Sequence, residues 1–147
     1  MRFHDRCSRS ILATLAVAGG CAGAAAAQEE GSREVDAKFE QAAPTLQEKG
    51  LGPRGARHYG SLADDTAQRI TVSVDFAPAL FLGLCDNGCT DLDLVLLDAG
   101  GATLDSDQLA DAYPIVTARE PGSYTIEVRM AACADGPCRY GVQAYSR

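Results

Sequence analysis

The sequence predicts an all-β domain, an antiparallel sandwich or barrel of about eight short strands, preceded by a short amphipathic helix. Three observations lead there. From Arg57 onward apolar residues recur with a period of two, most clearly in Ile70, Val72, Val74 and Phe76, in Leu92, Leu94 and Leu96, and in Tyr124, Ile126, Val128 and Met130. Turn-forming clusters separate these runs at intervals of roughly 8–12 residues. No helical period lies between the runs, which argues against a parallel sheet built from βαβ units.

Residues 1–27 read as an export signal. Arg2, Arg6 and Arg9 precede the apolar run Ile11 to Ala18, and Ala25, Ala26 and Ala27 fit an A-x-A cleavage site ahead of Gln28. The run is shorter than the ~20 residues of a membrane span. The alternative is a lipoprotein signal with the lipid on Cys21. Residues 28–31 form a polar leader, after which Ser32 is placed to cap a helix with Glu34 and Asp36 in its first turn. Val35, Phe39, Ala42 and Leu46 give that helix one apolar stripe, expected to pack on the sheet, and Pro44 predicts a kink or a second piece. Gly50 closes it, and Gly52 to Gly55 reads as a loop. The expected division is therefore a signal (1–27), a leader with helix and Gly/Pro loop (28–55) and a sandwich (56–147).

Within the sandwich, His58 to Leu62 opens the strands and residues 70–76 alternate as a half-buried second. Ala79 to Leu84 and then Leu92 to Leu96 follow, separated by a cysteine-flanked turn. Ala99-Gly100-Gly101 turns into a short return strand at 102–104, and Asp105 to Tyr113 reads as an acidic loop ended by Pro114. Residues 115–117 are brief, residues 124–130 alternate, and Tyr140, Val142 and Ala144 line the last strand.

Charge and cysteines bound the function. A net charge of −7, or −9 once the signal's three arginines and one aspartate leave, argues against a nucleic-acid partner. Cys7 and Cys21 leave with the signal, so Cys85, Cys89, Cys133 and Cys138 remain in an oxidising compartment. Of three connectivities, Cys85–Cys89 and Cys133–Cys138 are favoured, because each pair flanks a turn sequence; a four-cysteine zinc site is the alternative. Asp86, Asp91, Asp93, Asp105, Asp107 and Asp111 are the candidate metal ligands, and hard oxygens in that number suit calcium. The bland use of the same residues is to hold turn backbones or face water. His58, alone after the signal, has no evident nucleophile to serve. Five tyrosines could form a ligand platform, with packing the commoner use.

Cys85-Asp86-Asn87-Gly88-Cys89-Thr90-Asp91-Leu92-Asp93-Leu94, then Asp111-Ala112-Tyr113-Pro114 and Gly122-Ser123-Tyr124-Thr125-Ile126-Glu127-Val128, resemble the bacterial pre-peptidase C-terminal domain over residues 57–146. The resemblance implies a jelly-roll-like β-sandwich, usually appended to secreted proteases, not itself catalytic, and associated with secretion, substrate or matrix binding and sometimes calcium. The chain departs from it in carrying two cysteine pairs and no protease domain, as a free-standing, disulfide-stapled version. The expectation is a periplasmic or secreted, non-catalytic binding module of the bacterial envelope, without a transmembrane segment. Its partner would be a protein or polysaccharide of the envelope; no cofactor is expected, with calcium the candidate ion. A small aspartate-dependent secreted hydrolase and a purely structural envelope protein are the alternatives.

Overall fold

A computed structural model describes residues 21–147. Helix α1 (Cys21–Glu48) leads into β1 (Gly52–Leu62), β2 (Thr66–Val74), β3 (Ala79–Cys85), β4 (Cys89–Leu97), β5 (Thr103–Asp107), β6 (Ile115–Ala118), β7 (Gly122–Cys133) and β8 (Cys138–Ser146). The strands make two four-stranded antiparallel sheets, ordered β1-β8-β3-β6 and β2-β7-β4-β5. The period-two runs explain the core between them. Leu92, Leu94 and Leu96 of β4 and Ile126, Val128 and Met130 of β7 are fully buried against Phe81, Tyr140 and Val142 of the facing sheet.

β3 is apolar on both faces because both faces are covered. Phe81 and Cys85 enter the core, while Leu82 and Leu84 join Val35, Phe39 and Leu46 of α1 and Tyr145 of β8 in a second cluster outside the sheet. The helical stripe thus packs on the sheet as expected. Gly141 allows the close approach, since a Cβ there would lie 2.9 Å from Val35 and 3.0 Å from Phe39. Arg57 closes the seam: its guanidinium stacks on the Phe39 ring at 3.9 Å and pairs with Asp36.

The helix differs from its expected bounds. The body of the expected signal, residues 1–20, lies outside the described residues, and helix is already present at Cys21. Ser32 is therefore interior, and its hydroxyl donates back to the Gln28 carbonyl (2.9 Å) instead of capping. Pro44 lies in one continuous element that ends four residues later, where few intrahelical bonds remain to be lost. The Gly/Pro segment from Gly52 is the start of β1, not a loop, because β8 supplies it with a partner; the register then shifts between Arg54 and His58. The buried Gln143 amide answers the shifted stretch, donating to the carbonyls of Arg54 (3.0 Å) and Gly55 (3.4 Å). β5 is longer than expected, running through Asp107 into the acidic segment.

Gly60 pairs with Tyr140 across β1 and β8, and the fully buried Tyr140 ring covers it so closely that a Cβ would sit 2.4 Å away. Gly60→Ala is expected to destabilise the domain by about 1–3 kcal/mol in urea denaturation. The same change in a Tyr140→Leu background should cost clearly less, because the ring it strikes is gone.

Candidate functional site

Both cysteine pairs are the expected bridges, Cys85–Cys89 and Cys133–Cys138, with Cα separations of 5.9 and 6.0 Å. They lie side by side, because Cys89 of β4 is in register with Cys133 of β7 and the Ala134 N–H donates to the Gly88 carbonyl (2.9 Å). Asp86 lies within the first of these bridged loops, whereas Asp105 and Asp107 pair with Leu96 and Leu94 farther along β4.

The six aspartates divide by what their carboxylates hold. Asp86, buried within the first disulfide loop, accepts from the Arg139 N–H (2.7 Å) and the Gly88 N–H (3.2 Å). Asp105 and Asp107, two apart on β5, accept from the N–H groups of Thr117 (2.8 Å) and Ile115 (2.9 Å), two apart on β6. Because β5 and β6 are edge strands of different sheets, these two carboxylates tie the sheets together along one side and satisfy edge donors that have no ladder partner. Asp107 also accepts from the Leu109 N–H (3.4 Å), and Asp111 from the Tyr113 N–H (2.9 Å). Asp91 and Asp93 stand apart: Oδ1 of Asp91 is buried without a hydrogen-bond partner, and Asp93 is only 8% exposed.

The expected metal set of Asp86, Asp91, Asp93, Asp105, Asp107 and Asp111 is thus not gathered into one shell. Among the described residues no three His, Cys, Asp or Glu side chains are placed to hold a metal ion. The physical reason is that the oxygens of Asp86, Asp105, Asp107 and Asp111 hold backbone N–H groups. What does gather is a field. The Asp93 carboxyl is pushed above its ordinary range first by burial and next by Asp91, with Asp107 and Asp111 adding and Arg129 opposing. Arg129, in register with Asp93, is itself paired to Asp65.

The crossover from β5 to β6 lies on this field, its Asp111 carbonyl accepting the Leu92 N–H of β4 (2.9 Å). It presents apolar side chains to water: Leu109 is 67% exposed, Tyr113 62% and Ile115 42%. Leu109 and Tyr113 each follow an aspartate that fixes the backbone, through Asp107-Gln108-Leu109 and Asp111-Ala112-Tyr113, and Ile115 opens β6. The sequence carries that signal as Asp-x-apolar twice in seven residues, the Asx-turn spacing that goes with the turn-holding use of these aspartates. His58 lies elsewhere, exposed on β1.

No family model matches the chain, and no curated protein does. Two solved structures are similar in outline. One is the periplasmic inhibitor of g-type lysozyme, PliG, from Aeromonas hydrophila, at 17% identity and a TM-score of 0.44, covering 65% of this chain and 89% of that one. The other is the carbohydrate-binding module CBM36 in complex with calcium and xylotriose, at 15% identity and a TM-score of 0.31, covering 67% of this chain and 93% of that one. Likenesses at this level carry nothing about what this chain binds.

Two substitutions test the division of the aspartates. A carboxyl whose pKa is raised by folding holds its proton more tightly folded than unfolded, so its contribution favours the fold at low pH and is lost as pH rises through the raised value. Asp93→Asn is therefore expected to melt higher than the parent at pH 7, by roughly 2–4 °C, with the gap closing below about pH 4. Asp105→Ala leaves the Thr117 N–H without its acceptor and is expected to cost about 1–3 kcal/mol in urea denaturation.

Proposed function

We propose that this chain is an exported, non-catalytic binding module of the bacterial envelope, a jelly-roll-like relative of the pre-peptidase C-terminal domain. It captures a protein partner on the crossover between β5 and β6. Support for the jelly roll comes from the two sheet orders, β1-β8-β3-β6 and β2-β7-β4-β5, in eight antiparallel strands. Support for export comes from the two bridges. Among the described residues no helix is long and apolar enough to cross a membrane.

The observation that carries the reading is the pair Leu109 and Tyr113, held out into water by backbone bonds to Asp107 and Asp111. Large exposed apolar side chains on a pinned backbone bind with little loss of conformational entropy. Asp107 and Asp111 place carboxylates beside them. The matching surface is an apolar pocket flanked by lysine or arginine. A polysaccharide fits less well, because Leu109 offers a sugar no hydrogen bond.

Cross-linking in the native envelope, with a photoreactive residue at position 108, is expected to trap one protein. Leu109→Ala with Tyr113→Ala should abolish that product and lower affinity at least tenfold while leaving the melting temperature unchanged. Retained cross-linking in the double variant, or capture of glycan alone, would sink the proposal.

A further inference from the structure

The two sides of the sandwich are built differently. Asp105 and Asp107 close the side where β5 meets β6. On the opposite side β1 pairs only with β8 and β2 only with β7, and between β1 and β2 lies a cleft of about 280 Å³. Its floor and wall are apolar: Val72 and Phe81 are buried core residues, and Phe76 is packed against them. Its lip is polar and carries Arg54, His58 and Asp75.

We propose that this cleft binds a small planar carboxylate, with the ring between Phe76 and the apolar floor and the carboxylate on Arg54 and His58. Arg54 is fixed in place. Its Nε donates to Ser146 Oγ (2.7 Å), its Nη2 to the Arg147 carbonyl (3.0 Å), and its guanidinium carbon lies 5.9 Å from the centre of the Phe76 ring. Those two bonds use two of five N–H donors and leave the others for an anion. His58, exposed on the same strand beyond the register shift, adds a second donor to the lip, and the shift between Arg54 and His58 is what separates them. Asp75 is the one acidic side chain among the lining residues, and the guanidinium donors that Arg54 keeps free, with His58 beside them, are what suit this lip to an anion. The volume admits on the order of ten non-hydrogen atoms, which is the size of an aromatic acid and below that of an oligosaccharide.

The test is titration of the isotope-labelled chain with 2-naphthoate, followed through backbone amide signals. Saturable shifts are expected at residues 54–58 and 71–76. The neutral isostere 2-naphthylmethanol should bind about tenfold more weakly, the loss expected for one charge-assisted contact. Arg54→Gln should remove the preference for the acid. His58→Gln, which touches no hydrogen bond of the fold, should lower it independently, so that a folding defect in the first variant leaves the second as the arbiter. The Leu109→Ala, Tyr113→Ala variant should bind naphthoate as the parent does, which separates this cleft from the crossover surface. Absence of shifts at millimolar 2-naphthoate, shifts centred outside the cleft, or equal binding of acid and alcohol would overturn the proposal.

Discussion

Carboxylates that accept backbone N–H groups hold this domain's ends and edges. Asp64 holds the Cys133 N–H (2.7 Å), Asp86 that of Arg139, Asp98 those of Gly100 and Ala102 (both 2.9 Å), Asp105 and Asp107 those of Thr117 and Ile115, and Asp111 that of Tyr113. Every one of these donors lies at a strand end, on an edge or in a turn, where a ladder cannot supply an acceptor. Ionised acceptors make the stronger kind of hydrogen bond, and a side chain can reach where a neighbouring strand cannot. Much of the chain's acidity is thereby architectural.

Two consequences follow for the surface. Closing one side of the sandwich with Asp105 and Asp107 leaves the facing side open between β1 and β2, with Arg54 stationed at its mouth. The same device, moved a few residues along, holds the crossover rigid enough to expose Leu109 and Tyr113. α1 meanwhile withdraws the outer face of β3 and β8 from solvent, so that sheet face is not available for binding.

Much of the fold was legible in the sequence because period two survives wherever one face of a strand is buried. Leu92, Leu94 and Leu96 and the 124–130 run lie in the core as their alternation predicts, and the cysteines pair across their own turns. The start of β1 was not legible, because Gly52 and Pro53 carry turn chemistry and only the pairing with β8 makes them extended. Ser32 misled for a related reason: a capping residue type says nothing of helix that already precedes it. The turn-holding use of Asp86, Asp107 and Asp111 was legible, but the reach of Asp105 and Asp107 across to β6 was not. An Asp-x-Asp spacing places two carboxylates on one face equally well for a cation and for two N–H groups of a neighbouring edge. Tertiary structure alone says which arrives.

The adjacency of the two bridges bears on the order of events as the chain folds and oxidises. Cys85 and Cys89 are four residues apart and Cys133 and Cys138 five, so each pair meets often in an unfolded chain, and oxidation there selects the local partners. Once the sheet has formed with its thiols still reduced, Cys89 and Cys133 stand in register on neighbouring strands and become rivals for one another. Early oxidation therefore leads to the native pairs, whereas oxidation delayed until after collapse meets a competing partner across the sheet.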